Sequence, residues 1–209
     1  MSFYAHFGQF ETILTGRKSR IKLWAPFYGS SRKGKNMKKT NIRTPAKAAL
    51  IAAFYVALTL LSQVMGLGFG TVQFRLSEAL TILPAFTLAA IPGLALGCAL
   101  ANIASTLGPI DIVVGATATL LQAICTRALR NVQVKSIPLL SLLMPVVFNG
   151  IFIGAEIAFL TAGTEGFLAV FISTALTVGG EELLVCLTTA LPLYKLIQSR
   201  PALQKIINE

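Results

Sequence analysis

The sequence predicts an all-α integral membrane protein with six transmembrane helices. Of its 209 residues, 55% are apolar and only 12% are charged, and the mean hydropathy is +0.73, whereas soluble domains average about 25% charged residues. The apolar residues also form runs that approach the roughly 20 residues that a helix needs to cross a bilayer. A soluble domain of this size could not cover its surface with so few polar residues.

The first 36 residues form a polar, basic N-terminal extension that we predict to be disordered. The extension contains no sustained apolar run, which excludes a secretory signal peptide, and Met37 is an alternative start for the membrane domain, residues 37–209. One stretch, Gly29 to Asn36, nearly matches the P-loop pattern, but Asn36 replaces the hydroxyl residue that binds magnesium and no strand precedes it. We therefore expect no ATPase activity in this chain.

Six apolar spans follow, at residues 46–66, 78–91, 93–107, 112–130, 138–161 and 167–193. The second and third are short for a hydrocarbon core of about 30 Å. We predict that they meet at a tight turn, Ile91-Pro92-Gly93.

The distribution of positive charge predicts that both termini are cytoplasmic. With this orientation, 17 of the 18 basic residues lie in or beside inner segments, and only Arg75 lies in an outer one. Basic residues are concentrated in cytoplasmic loops of membrane proteins. Eleven of them precede the first long apolar run, where they suit anionic lipid better than nucleic acid.

Polar and ionisable residues in or beside these spans are the candidate binding residues. An ionisable group at the centre of a span costs about 2.5–3.5 kcal/mol on insertion scales, so such groups usually face a bundle interior or mark function. Together they predict an acid-rich pocket for a small molecule, open to the outside and covered by the 67–77 loop. The candidates are Gln73, Arg75, Glu78, Asn102, Asp111, Asn149, Glu156, Glu181 and Glu182.

Several of these residues could instead have structural roles, such as helix capping or ion pairing. Glu78 follows Ser77, a good N-cap, and a carboxylate in a first helical turn complements the helix dipole. Asp111 is placed to cap span four in the same way. Arg75 either contacts a ligand, pairs with Glu78 or is an exposed loop residue.

The remaining candidates are interpreted by their helical spacing. Asn149 and Glu156 fall on one helical face. Glu181 and Glu182 lie about 100° apart around a helix, so one of the two is expected to reach the cavity. Gln122, in span four, either joins the pocket or bonds a neighbouring helix.

The sequence offers no catalytic or metal-binding constellation. His6 is the only histidine, and Cys98, Cys125 and Cys186 are far apart inside apolar runs, as expected of reduced core residues. We predict no metal, no cofactor and no enzymatic activity.

The first span carries small residues at intervals of four, a spacing that lets another helix approach closely. That helix is either one of this protein's own or belongs to a partner. The residues are Ala48 and Ala52, and on a second row Ala49, Ala53 and Ala57.

Five stretches resemble the queuosine-precursor transporter family, QueT, over about residues 44–197. They are VQFRLSEALTILP, AIPGLALGCALAN, PIDIVVGATATL, PVVFNGIFIGAE and LTVGGEELLVC. The FRxSEALTxLP pattern is the most specific of these. The 36-residue basic extension departs from the family pattern.

The resemblance implies a substrate-binding S-component of an energy-coupling factor (ECF) transporter in a bacterial-type cell membrane. S-components are six-helix bundles with cytoplasmic termini, and their first helix packs on a transmembrane coupling subunit through an Ala-x-x-x-Ala motif. Two ATPase subunits are separate proteins. The implied substrate is a 7-deazaguanine such as preQ0 or preQ1.

Two other functions stay open on the sequence. One is an S-component for another vitamin-like micronutrient. The other is a stand-alone secondary transporter with Glu156, Glu181 or Glu182 as proton carriers, although such folds often carry inverted repeats and none is convincing here.

Overall fold

The computed structural model describes residues 42–66, 74–105, 107–134, 137–163 and 166–208. Within these ranges the chain is helical and forms no strand beyond one isolated bridge between Val134 and Ile137. The predicted N-terminal extension and the candidate Gln73 lie outside the described residues.

Helices of three kinds follow one another along the chain. A 3₁₀ helix precedes α2, a short 3₁₀ turn ends α2, and a π-helical turn joins α5 to α6 without a break. The elements are α1 (Arg43–Val64), the 3₁₀ helix (Leu76–Ala85), α2 (Ala90–Ala101), the 3₁₀ turn (Asn102–Ala104), α3 (Pro109–Leu129), α4 (Leu139–Thr161), α5 (Phe167–Val185), the π turn (Cys186–Ala190), α6 (Leu191–Ser199) and α7 (Pro201–Asn208).

In the ranges that the structure describes, four helices are long and apolar enough to cross a membrane. They are α1, α3, α4 and the continuous 33-residue helix Phe167–Ser199. The 3₁₀ helix and α2 with its 3₁₀ turn are apolar but shorter, and they correspond to the second and third predicted spans. The all-helical class is confirmed, whereas six crossings and cytoplasmic termini stay predictions.

The predicted turn at residues 91–93 is wrong. Those residues lie in the first turn of α2, which begins at Ala90, and the chain reverses instead between Phe86 and Ala89. Proline is tolerated in a first helical turn, because the amide hydrogen that it lacks would have no partner within the helix there.

The 3₁₀ helix is the central element of the bundle. Leu80 and Leu83 pack against one buried cluster, formed mainly by α1 and α2, while Ile82 belongs to a second cluster with α4, the π turn and α6. At its end, Arg127 Nη1 donates hydrogen bonds to the carbonyl oxygens of Pro84 and Ala85, each at 3.2 Å. The guanidinium thus supplies hydrogen bonds to carbonyl groups that have no partner within the helix, because they lie at its end.

α1 and α2 pack at close range because α2 carries glycines at the crossing. A Cβ atom on Gly93 would lie 2.8 Å from the Ala48 carbonyl oxygen, and one on Gly97 would lie 2.7 Å from Tyr55 Cβ and 3.1 Å from Ala52 Cα. Ala48 and Ala52 thus pack within this chain. The second row, Ala49, Ala53 and Ala57, is exposed.

Polar contacts fix the neighbouring helices as well. Ser141 Oγ donates to the Thr126 carbonyl oxygen at 3.0 Å, and Thr126 Oγ1 donates to that of Ser141 at 3.3 Å, which joins α3 to α4. Between α4 and α5, Thr174 Oγ1 donates to the Gly154 carbonyl oxygen at 3.0 Å. Such bonds between helices are available in a membrane, where water is absent.

The close packing of Gly97 against α1 predicts how substitutions there change stability. Gly97→Ala should lower the midpoint of thermal unfolding in detergent, because overpacking of a close contact costs about 1–3 kcal/mol. Gly180→Ala is the matched control: a Cβ atom there meets nothing within 4 Å, and alanine is the better helix former. Equal midpoints for the two variants would contradict the close α1–α2 contact.

Candidate ligand-binding site

Arg75, Asn102, Asp111 and Glu156 lie near one end of the bundle, which we call the site end. There the 3₁₀ helix, α3 and α5 begin, and α1, α2 and α4 end. Among the described residues, four carboxylates are each no more than 7% exposed: Glu78, Asp111, Glu156 and Glu182.

Glu78 is held by α1. The Tyr55 hydroxyl donates a hydrogen bond of 2.6 Å to Glu78 Oε1, and Tyr55 is fully buried. The Gln122 side chain, on α3, lies beside the same carboxylate. Tyr55 therefore fixes one oxygen of Glu78 and leaves Oε2 for another donor.

Ser77 does not cap the 3₁₀ helix as predicted. The N-cap residue is Arg75, and its side chain makes no capping hydrogen bond. Ser77 is fully buried, and its hydroxyl pairs with Thr59 Oγ1 at 2.8 Å. Ser77 lies on the face of the 3₁₀ helix that packs against α1, so its side chain points towards α1 and not towards the start of its own helix. Glu78 does lie in the first turn, as predicted.

A second chain of contacts joins the start of the 3₁₀ helix to α3. Arg75 Nη1 donates to Asn102 Oδ1 at 3.4 Å, and Asn102 Nδ2 donates to the Asp111 carbonyl oxygen at 2.9 Å and to Asp111 Oδ1 at 3.2 Å. The arrangement depends on Gly115, since a Cβ atom there would collide with Asn102 Nδ2. Arg75 also lies close enough to Glu78 and Asp111 for its charge to offset theirs.

Glu156 stands apart from these hydrogen-bonded groups. It lies on α4 near Asp111 and Arg75 and lines a groove of about 430 Å³ between α3, α4 and the start of α5. The rest of the lining is apolar, and it includes Phe152, Phe159 and Phe167.

The structure distinguishes the two adjacent glutamates of α5. Glu182 is 7% exposed, lies beside Asn149 of α4 and is 3.9 Å from Cys186 Sγ through Oε1. Glu181 is half-buried on the neighbouring face. Glu182 is therefore the member of the pair that faces the bundle interior, within electrostatic range of Glu78.

Six buried polar atoms at these positions have no hydrogen-bond partner among the described residues. Native proteins leave few such groups unpaired, so a cluster of them indicates an absent ligand, water or ion. The set contains acceptors on three carboxylates and both the donor and the acceptor of one amide. The atoms are Glu78 Oε2, Asp111 Oδ2, Gln122 Nε2 and Oε1, and Glu156 Oε1 and Oε2.

Sequence reasoning missed the residues that position this site. Tyr55 and Gly115 looked like ordinary positions in apolar helices, and Gln122 was left undecided. The tyrosine at position 55, in the middle of an apolar span, was one available signal, because a buried tyrosine hydroxyl usually finds a partner. Within the described residues no group of histidine, cysteine and acidic side chains could hold a metal ion.

Known proteins similar to this chain are transporters. The model of the family QueT, described as QueT transporter, matches residues 45–199. A protein of Lactococcus lactis subsp. cremoris (strain MG1363), named Queuosine precursor transporter QueT, is 33% identical over 84 residues. That match covers 40% of this chain and about half, 49%, of the relative. No solved structure matches the chain.

The Tyr55–Glu78 hydrogen bond predicts a stability difference between two tyrosine variants. Tyr55→Phe should destabilise the ligand-free protein by about 1–3 kcal/mol, because a buried carboxylate loses its donor. Thermal unfolding in detergent measures the effect. Tyr194→Phe is the control, since Tyr194 is also buried and packs against Phe86, but its hydroxyl makes no hydrogen bond with the described residues. Equal destabilisation would mean that the Tyr55 hydroxyl does not stabilise Glu78.

Proposed function

This chain belongs to the QueT transporter family, and on that premise we propose that it is the substrate-binding S-component of an ATP-driven ECF importer for a 7-deazaguanine such as preQ0 or preQ1. The chain is a multi-pass protein of the cell membrane, with four helices long and apolar enough to span it. ATP hydrolysis is assigned to separate subunits.

The observation that carries the proposal is the set of buried polar atoms that have no hydrogen-bond partner in the part of the chain that the structure describes. A guanine-like edge presents two neighbouring N–H donors beside a carbonyl acceptor. One carboxylate can accept from both donors in a charge-assisted pair, and an amide can donate to the carbonyl while it accepts from another group. Glu78 and the Gln122 amide, neighbours on the 3₁₀ helix and α3, supply these complements. Glu78 accepts one donor at Oε2 and the other at the second lone pair of Oε1, whose first lone pair accepts from Tyr55.

In this proposal the surrounding contacts hold the binding groups in place before the ligand arrives. Tyr55 orients Glu78 through a 2.6 Å hydrogen bond, and the Arg75–Asn102–Asp111 chain orients Asp111. A ligand then gains hydrogen bonds without having to order these side chains, which reduces the cost of binding.

The exposed row of α1 is the proposed contact with the coupling subunit. Ala49, Ala53 and Ala57 lie on the outward face of the helix, where small side chains permit close approach of a partner helix. Because Ala48 and Ala52 pack against α2, we assign the partner contact to this second row alone. Tyr55 lies on the inward face of the same helix, so α1 connects the binding site with the partner surface.

Ligand-dependent stabilisation tests the substrate. We expect preQ0 or preQ1 to raise the thermal unfolding midpoint of the purified protein in detergent, since a ligand at 100 times its Kd adds about 2.7 kcal/mol. Glu78→Gln should remove most of this gain, because an amide presents only one acceptor oxygen to the two donors. Lys195→Gln, an exposed change towards the other end of the bundle, should keep it.

Each other outcome of that experiment has a defined meaning. Stabilisation by thiamine, biotin or riboflavin instead of a deazaguanine would overturn the substrate and keep an S-component role. Full stabilisation of Glu78→Gln by a deazaguanine would overturn the assigned role of Glu78.

The partner surface is tested by paired tryptophan substitutions. Ala49→Trp with Ala53→Trp should prevent co-purification with the coupling subunit and its ATPases, because the bulky rings keep the helices apart. Leu176→Trp is the control, at a residue 73% exposed on α5. An intact complex in the double variant would refute the assignment, and uptake in cells without the ATPases would favour a stand-alone transporter.

A further inference from the structure

We propose that Glu156 and the groove around it form a subsite for a primary ammonium group, so that the protein selects an aminomethyl-substituted deazaguanine over its nitrile counterpart. This inference rests on the proposed function and specifies the chemical form of the substrate. It concerns a part of the site separate from Glu78 and Gln122.

Glu156 differs from the other buried carboxylates in its partners. Glu78 accepts a hydrogen bond from Tyr55, and Asp111 accepts one from Asn102. Glu182 lies beside Asn149 and Cys186. Both oxygens of Glu156, in contrast, have no hydrogen-bond partner among the described residues, although the side chain is only 4% exposed.

A groove adjoins Glu156, whose two carboxylate oxygens are themselves buried. Its volume is about 430 Å³, and among the described residues that line it Glu156 is the charged one. A carboxylate in such apolar surroundings is costly unless a cation or several donors reach it. A primary ammonium supplies both the positive charge and three N–H donors.

Nearby groups favour a cation over a neutral donor. Asp111 places a second negative charge near Glu156, and Arg75 places one positive charge near it. Arg75 also donates a hydrogen bond to Asn102. Phe152, Phe159 and Phe167 line the same groove, and faces of aromatic rings attract cations. A ligand ammonium between the carboxylate and these rings would be stabilised from both sides.

A nitrile offers the opposite chemistry. Its nitrogen only accepts hydrogen bonds, so it leaves both Glu156 oxygens unpaired and brings the negative end of its dipole towards a carboxylate. The uncharged methyl analogue fills similar space without either effect. Selection between these three 7-substituents therefore reports the group that Glu156 recognises.

The test is a comparison of dissociation constants for 7-aminomethyl-, 7-cyano- and 7-methyl-7-deazaguanine, measured by titration calorimetry on the purified full chain. Wild type should bind the aminomethyl compound about 10- to 100-fold more tightly than the other two, the range that a hydrogen bond to a charged group contributes. Glu156→Gln should remove that preference and leave the affinities for the cyano and methyl compounds nearly unchanged. Glu156→Asp, which keeps the charge, should retain part of it.

The outcomes separate this inference from the proposed function. Failure of all three compounds to bind wild type would overturn both. Equal wild-type affinities for the aminomethyl and methyl compounds would overturn the subsite alone, even if the Glu156 variants did not fold. A Glu156→Gln variant that weakens all three equally, or none, would also overturn it.

Discussion

The burial of carboxylates inside a helical membrane protein is the constraint on which the rest of the structure depends. Hydrocarbon supplies no hydrogen bonds, so each buried polar group needs a partner within the protein, in trapped water or in a ligand. This bundle buries four carboxylates and pairs them unequally. Glu78 and Asp111 each keep one oxygen bonded and one open, and Glu156 keeps both open. We interpret the unequal pairing as a mark of ligand binding, because a merely structural network would be complete.

The backbone is arranged to hold these groups. The 3₁₀ helix packs between two buried clusters and ends against the Arg127 guanidinium. These contacts fix the position of the element that carries Glu78. Glycines at the α1–α2 crossing bring Tyr55 within reach of it. The π turn follows Glu182 within one helical turn, and π turns are frequent at functional sites. α1 thus positions the site with one face and presents small residues with the other.

The long helices were predictable because hydropathy alone determines them: the span predicted at 138–161 is α4, Leu139–Thr161. Local signals were less reliable, since Pro92 lies in the first turn of a helix where a turn between helices was predicted, and Ser77 packs inward instead of capping. The site contacts were beyond sequence reasoning because they join distant segments. The Tyr55–Glu78 hydrogen bond spans 23 positions, and only packing decides that Glu182 faces inward.

We propose above all that Glu78 and Gln122 recognise the edge of a guanine-like base. The most direct measurement is a calorimetric comparison of 7-aminomethyl-7-deazaguanine with 7-aminomethyl-7-deazaadenine, which differ only at that edge. The account predicts saturable binding of the guanine form and a loss of at least about tenfold for the adenine form, because the adenine edge lacks the pair of adjacent donors that a carboxylate accepts. Equal affinity for the two compounds would contradict it.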